Sequence, residues 1–371
     1  MKVLQINKFY YPVIGGIETV VRQIAEGINA RDGLTVDVLA CSNGPGASSE
    51  DINGVHVTRA RSMGVLLSMP VSVDFVRALK EMHSGYDLLH LHLPFPLGEL
   101  ALWLVRPESK LVVTYHSDIV RQRLASSAMG WLHRWTLERA QRIVVSNPNI
   151  VRTSAVLRGF RPKCTVIPFG VDTARFGPGG GSLHRVEQIR RRYGQKIVLF
   201  VGRLVYYKGV EYLIRAMKDI DAGLVIIGEG PLKDRLAGEA RRIGLGDRVS
   251  FVPYRTPDEL ADFYLAASVF VLPSVYRSEA FGITIAEAMA CGLPVISTEL
   301  GTGTSYVNQE GVTGFVLPPR DSGAINDRLK RLLSDSALSA AMGRAAAGRI
   351  KAGFTLDSML YSHEMLYGSC I

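Results

Sequence analysis

Two doubly wound α/β domains are the fold class this sequence predicts, and three observations carry the prediction. Short apolar runs of strand length alternate with amphipathic segments of helix length, the rhythm of parallel sheets covered by helices. That rhythm restarts in the second half, at KIVLFVG. At 371 residues and 40.6 kDa, the chain is also too long for one compact core.

In the first half the expected strands are KVLQIN, TVDVLAC, GVHVTRA, YDLLHLH, KLVVTYH, RIVVSN and CTVIPF. Helical segments such as GIETVVRQIAEGINAR and NIVRTSAVLRGF lie between them. The second half supplies KIVLFVG, GLVIIG, RVSFVP, SVFVLP and PVIST, and residues 335–371 form a helical tail. Between the halves, DTARFGPGGGSLHRVEQIRRRYGQ contains the best linker candidate, Gly-Pro-Gly-Gly-Gly. Ser182 is expected to cap a short basic helix there, and Gly194 to end it. Sheets of this kind bind ligands at the carboxyl ends of their strands, which places the expected site in a cleft between the domains.

Composition narrows the function. With 47% hydrophobic and 21% charged residues this is an ordinary globular chain. The opening MKVLQINKFYYP carries no apolar signal segment, and no apolar run approaches the ~20 residues that span a membrane. Cys41, Cys164, Cys291 and Cys370 are scattered, without CxxC spacing or neighbouring histidines, so a reducing cytoplasm is expected and a disulfide framework or zinc site is not. The net charge is +9. Residues 1–170 hold 19 Lys and Arg against 13 Asp and Glu (+6), and the remainder 24 against 21 (+3). A basic surface suits nucleic acid, anionic lipid or a phosphorylated small molecule. Basic motifs interleaved with aromatics are missing, which argues against nucleic acid.

The chemistry-bearing residues follow strand ends. SEAFGITIAEAMACG runs from a loop into a helix, and it places Glu279 and Glu287 on either side of Gly282. Gly282 and the amides after it form a small positive pocket for a phosphate. Carboxylates suit vicinal diols because each accepts two hydrogen bonds, so one acid would reach sugar hydroxyls and the other a ribose. The plainer reading is that both acids merely complement the helix dipole. In VGRLVYYKGVEYLIRAM, Arg203 and Lys208 suit a diphosphate leaving group; two solvated surface cations is the bland alternative. No GxxxxGK[ST] or GxGxxG is present.

Gly15 and Gly16 open a helix after the first strand, where a phosphate or sugar could approach; Glu18 beside them fits dipole compensation. In VVTYHSDIV, His116 and Asp118 stand at a strand end, where a histidine hydrogen-bonds a hydroxyl, acts as a base, or is simply structural. His90 and His92 in LLHLHLP lack a third metal ligand and read as structural. GEGP (228–231), with Tyr254 and Arg255 in VPYRTPDEL, marks a rim for a base or plain turn chemistry.

The order and spacing of GGIE, YHSD, GR with YYKG, GEGP and the E-x7-E of SEAFGITIAEAMACG resemble glycosyltransferase family 4, retaining enzymes of GT-B fold, along essentially the whole chain. YYPVIGGIE, YHSDIV, PFGVD, YYKG, RSEAFGIT and GTGTSYVNQ look closer still to bacterial O-antigen mannosyltransferases that use GDP-mannose. The resemblance implies an acceptor domain over residues 1–172 and a nucleotide-sugar domain over 173–352. Residues 353–371 would cross back onto the first domain. Glu279 would hold the donor sugar's hydroxyls, and Glu287 the ribose. Arg203 and Lys208 would neutralise the diphosphate, helped by amides around Phe281, Gly282 and Ile283. Gly15 and Gly16 would let the acceptor-side loop approach the donor, and His116 would contact the transferred sugar. No cofactor or metal is implied, and no DxD motif stands at a strand end.

The implied acceptor is a lipid-diphosphate-linked oligosaccharide at the inner face of the cytoplasmic membrane. IVRQRLASSAMGWLHRWTLERAQR, with Trp131, Leu132 and Trp135 among arginines, suits a peripheral membrane contact or a core-facing amphipathic helix. Competing readings are a UDP-sugar or GDP-deoxysugar donor, a non-hydrolysing nucleotide-sugar epimerase, and a non-catalytic nucleotide-sugar binding protein. A nicotinamide-dependent dehydrogenase fits the rhythm but lacks its glycine fingerprint.

Overall fold

The computed structural model describes residues 1–44, 46–66, 69–118 and 130–371. They form two compact units, residues 1–168 with 357–371, and residues 169–356. The sequence reading places the boundaries at 172/173 and 352/353.

Unit one is built on an eight-stranded sheet. Its strands are β1 (Lys2–Ile6), β2 (Thr35–Cys41), β3 (Ser48–Ile52), β4 (Val55–Ala60), β7 (Leu88–Leu93), β8 (Lys110–Tyr115), β9 (Arg142–Val145) and β10 (Cys164–Val166). The order is β10-β9-β8-β7-β1-β2-β4-β3, parallel except at β3. A separate hairpin pairs β5 (Gly64–Leu66) with β6 (Met69–Val71). The hairpin and β3 are absent from the expected strands. SSEDI in β3 is polar and exposed along most of its length, so it lacks the apolar signal that marks the others.

Helices α1 (Gly16–Asn29), α2 (Val73–Met82), α3 (Pro96–Val105), α4 (Gly130–Arg139) and α5 (Pro148–Thr153) connect these strands. NIVRTSAVLRGF breaks into α5 and a 3-10 turn over Leu157–Gly159 instead of one helix. One set of strand side chains is purely apolar. Leu4, Ile6, Leu39, Leu89, Leu91, Leu93, Val113 and Tyr115 bury with Phe75, Leu79 and Phe95 from α2 and its neighbourhood. Alternation sends Gln5, His90, His92 and Thr114 to the other face, where they too are fully buried. Hydrophobic burial cannot satisfy those polar atoms, so hydrogen bonds must.

Unit two is a six-stranded, wholly parallel sheet ordered β13-β12-β11-β14-β15-β16. Its strands are β11 (Ile197–Val201), β12 (Gly223–Ile227), β13 (Val249–Val252), β14 (Val269–Leu272), β15 (Val295–Thr298) and β16 (Gly314–Leu317). β16 is the strand the sequence reading omits. Its helices are α6 (Leu183–Tyr193), α7 (Val210–Ala216), α8 (Lys233–Arg242), α9 (Pro257–Ala266), α10 (Ile283–Ala290), α11 (Thr304–Val307), α12 (Ser322–Ser334) and α13 (Ser336–Gly353). Burial of both faces gives these strands their continuous Val/Ile/Leu/Phe runs.

The Gly-Pro-Gly-Gly-Gly stretch is not a linker. It lies inside unit two, packed so closely that a Cβ on Gly180 would fall 1.7 Å from the Arg175 carbonyl oxygen. Ser182 takes the N-cap position of α6, but its side chain makes no capping bond. Its backbone N–H instead donates to Asp262 (2.7 Å). Gly194 does end the helix, at φ 106°.

The last helix, α14 (Leu356–Gly368), lies with unit one from Asp357 onward. Arg31 pairs with Asp357 (2.8 Å) and Glu364 (3.2 Å), and Gly27 makes room for Leu360. No helix among the described residues is long and apolar enough to cross a membrane.

Candidate active site

In unit two, β11 is flanked on one side by β12, its successor, and on the other by β14. Strand order reverses there, and the loops after β11 and β14 diverge at the point where doubly wound sheets hold their ligands. The two loops are stitched together. Gly209 takes φ +64°, and a Cβ on it would fall 2.2 Å from the Pro273 carbonyl oxygen, so only glycine permits this approach. The Val275 N–H donates to the Tyr207 carbonyl (2.8 Å).

This stitching brings two predicted residues together. Lys208 Nζ lies 2.6 Å from Glu279 Oε2, with both side chains close to 10% exposed. Ser274 donates its hydroxyl to the same oxygen (3.0 Å), and Thr298 donates to the Ser274 carbonyl. Burial is the largest influence on Lys208 and pulls its pKa down. Glu279's charge and hydrogen bond, with Tyr207, outweigh it, so the net displacement is upward and the ammonium stays charged. Lys208 is therefore no solvated surface cation, and Glu279 has a direct ionic partner in place of a bare helix dipole. Arg203, on the same loop, is exposed.

Glu287 lies in the second turn of α10. Tyr264 of α9 donates its hydroxyl to Glu287 Oε2 (2.8 Å). Burial raises the carboxyl's pKa to about 7, against the opposing pull of that bond. Gly282 caps α10 in the left-handed region (φ 84°, ψ 59°), where a side chain would also strike Ile285. The amides of Ile283 and Thr284 open the helix, and first-turn amides have no partner within a helix. Phe281 is buried against Phe169, their ring centroids 5.1 Å apart, which holds the loop before the helix. The arrangement can hold an anion at the helix start and diols at the two carboxyls.

The glycines of GEGP carry a packing role. A Cβ on Gly228 would fall 2.1 Å from the Gly202 carbonyl oxygen, and one on Gly230 2.5 Å from that of Leu204. The loop after β12 is thus pressed against the loop that carries Arg203. Tyr254 is exposed, and Arg255 pairs loosely with Glu259 (3.8 Å).

In unit one, Gly15 and Gly16 start α1 beside β1, at that sheet's own reversal between β1 and β7. The Glu18 carboxyl folds back over Gly15, so close that a Cβ there would lie 2.2 Å from Glu18 Oε2. Asp118 accepts from Tyr115 (2.7 Å) and Ser154 (2.6 Å), a structural tie. His116 is buried at the end of β8, 3.0 Å from the His92 ring. Burial drops its pKa to about 3, which makes it a neutral hydrogen-bonding group and a poor base at neutral pH. His90 binds Tyr367 and Thr114, each at 2.7 Å. Among the described residues no group of three or more His, Cys, Asp or Glu could hold a metal.

The sequence reading missed Ser274, Thr298 and Tyr264. Ser274 carried a usable signal, as the first hydroxyl after a buried strand on the loop leading to Glu279.

Two family models match the chain, Glycosyltransferase Family 4 over residues 14–175 and Glycosyl transferases group 1 over residues 185–349. O-antigen chain mannosyltransferase C of Escherichia coli is 35% identical over 99% of this chain and 98% of its own length. The chain belongs to glycosyltransferase family 4. This family 4 glycosyltransferase is also 36% identical to D-rhamnosyltransferase WbpZ of Pseudomonas aeruginosa, over 96% of the chain and 92% of the relative. Among solved structures, sucrose-phosphate synthase from Thermosynechococcus elongatus superposes with TM-score 0.84 at 27% identity, covering 99% of this chain and 98% of that one. The two Rossmann-like units with parallel sheets are those of the GT-B fold, and the enzyme is a glycosyltransferase.

Proposed function

We propose that this glycosyltransferase moves mannose from GDP-mannose onto a lipid-diphosphate-linked oligosaccharide in O-antigen assembly, with retention at the anomeric carbon. The observation that carries the reading is the buried Lys208–Glu279–Ser274 constellation at the reversal point of unit two, beside a glycine-opened helix. Glu279 grips hydroxyls of the donor sugar, and Glu287 grips the ribose. Lys208, Arg203 and the amides of Gly282 and Ile283 take up the charge that leaves with the diphosphate. These groups supply the neutralisation that a metal ion gives elsewhere, so the donor is used without metal or other cofactor. The departing phosphate oxygen accepts the proton of the attacking hydroxyl on the same face, which accounts for retention without a protein nucleophile. His116 contacts the transferred sugar, and Gly15 and Gly16 let the acceptor-side loop approach the donor.

The mannose assignment leans on the E. coli relative, and the Pseudomonas relative favours a second reading in which the donor is a GDP-deoxysugar. A lipid-linked acceptor places the enzyme at the inner membrane surface. Exposed Trp131 packs edge-on against Trp103 (5.2 Å), with Arg106 over the Trp103 ring, a surface suited to peripheral contact. The rest of the basic segment, residues 119–129, lies outside the described residues.

Thermal unfolding with GDP, UDP, ADP or NAD in large excess tests the donor class. At ~100 times its dissociation constant a ligand adds about 2.7 kcal/mol. A shift with GDP alone supports the reading, and GDP-mannose against GDP-deoxysugar turnover then separates the two donors. A shift with UDP overturns the donor, and no shift with any nucleotide overturns the site.

A further inference from the structure

Of the two carboxylate oxygens of Glu287, one is already taken. Tyr264 on α9 donates its hydroxyl to Oε2 at 2.8 Å. Oε1 takes no hydrogen bond from any described residue and reaches solvent. The chain runs from α9 into β14 and on into α10, so the phenol and the carboxyl come from the two helices on either side of one strand. The phenol is held firmly. Tyr264 is 0% exposed, and its ring meets Phe270 of β14 and Phe176 edge-on, with centroids 5.7 and 5.9 Å apart. A phenylalanine would fill almost the same space, so packing alone does not require the hydroxyl. Burial and the charge of Glu287 hold the phenol far above its usual pKa, which keeps it a donor. Burial pushes the carboxyl up to about 7, and the phenol's bond pulls the other way, toward the charged form. Glu279 follows the same plan. Lys208 and Ser274 both meet its Oε2, and its Oε1 takes no hydrogen bond from a described residue.

We propose that Tyr264 is a positioning residue for donor binding, whose hydroxyl fixes the Glu287 carboxylate through Oε2 so that Oε1 stands ready for the ribose hydroxyls of the nucleotide. The proposal rests on the ribose role given to Glu287 above. A glutamate side chain is flexible, and a ligand that met it unfixed would lose binding energy in ordering it. The clamped phenol does that ordering when unit two folds. It also favours the carboxylate, which accepts from both hydroxyls of a diol, whereas a protonated carboxyl turns one oxygen into a donor. Loss of the phenol hydroxyl should therefore weaken the grip on the ribose and leave the contacts to the phosphates alone.

Calorimetric titration of the full-length protein with GDP, and with a dideoxy analogue of GDP that lacks both ribose hydroxyls, isolates the contact, because the rest of the ligand is shared. UDP and its dideoxy analogue take their place if UDP is the nucleotide that raises Tm. Wild type should bind the ribose form roughly 100-fold more tightly than the dideoxy form. Tyr264→Phe should cut that ratio to about tenfold. A variant that is merely loosened would bind both nucleotides more weakly and keep the ratio, so an unchanged ratio in Tyr264→Phe refutes the positioning role. In Glu287→Ala the ratio should already be low, and adding Tyr264→Phe should not move it; a further fall would mean that the phenol acts by another route and would overturn the proposal. Glu287→Asp keeps Tyr264 and the charge but draws the carboxyl back by a methylene from its held position. It should narrow the ratio too, and an undiminished ratio there overturns the proposal even if Tyr264→Phe fails to fold. The underlying reading fails differently. A wild type that binds both nucleotides equally removes the ribose role of Glu287 and the proposal with it, whereas a ribose preference that survives intact in Tyr264→Phe removes the proposal alone.

Discussion

Replacing Lys208 by methionine tests whether the ion pair with Glu279 organises the donor site. The substitution keeps the length and apolar stem of the side chain and removes only the ammonium. Glu279 then remains in a site where side chains are close to 10% exposed, with the Ser274 hydroxyl still donating to it. Removing one member of a buried pair costs about 3–5 kcal/mol, because the other charge is left uncompensated. The retained Ser274 bond and residual exposure argue for the lower end, about 3 kcal/mol. At about 2–4 °C per kcal/mol for a unit of this size, the expected fall in Tm is roughly 6–12 °C. Glu279→Gln should cost a similar amount by stranding the ammonium. The double variant strands neither charge, so its loss should be smaller than the sum by about 2–3 kcal/mol. Calorimetry of the wild type, both single variants and the double variant closes the cycle. Additive losses, within about 0.5 kcal/mol, would refute the coupling and with it the account of how these loops are held. Turnover should behave differently. Under the proposed function all three variants should lose roughly 100-fold or more in kcat, because each lacks the ammonium proposed to meet the leaving diphosphate, the carboxylate proposed to hold the sugar, or both.

Glu287→Gln should stabilise the protein more at pH 8 than at pH 5. The carboxyl binds its proton more tightly folded than unfolded, so it disfavours the folded state increasingly as pH rises from about 4.5 to about 7. Thermal unfolding at the two pH values reads the difference, and an equal gain at both would refute the buried carboxyl. Gly282→Ala should destabilise by roughly 1–2 kcal/mol, the cost of a left-handed backbone for an L-residue. It should also weaken nucleotide binding in a titration, since Cβ would meet Ile285 at 2.8 Å and displace the start of α10. Gly27→Val should loosen α14 where Leu360 fills the glycine's space, raising hydrogen exchange across 356–368 and sparing α10.

The elements most legible in the sequence were those whose physics is local. β11 and β14 are short apolar runs bounded by turns, and their burial on both faces is what makes them apolar. The E-x7-E stretch showed a helix beginning after Gly282 and ending near Gly292, because backbone conformation at a glycine depends on few neighbours. The polar strand β3 escaped, since pairing with β4 at a sheet edge asks for no apolar face. The Gly-Pro-Gly-Gly-Gly stretch misled for a related reason. Glycine marks both a free linker and a turn too crowded for Cβ, and only the Arg175 carbonyl against Gly180 distinguishes them.

Fold class, the buried apolar strands other than β16, and the family were thus determined by the sequence itself, through apolar periodicity and the order of short motifs along the chain. Which chemical groups meet was decided by tertiary structure alone. Lys208 and Glu279 become partners because β11 and β14 are neighbours in the sheet, and Gln5, His92 and His116 become a row because β1, β7 and β8 lie side by side. Strand order is a long-range property, and the charge state and tautomer of each group follow from the partners and burial that this order imposes.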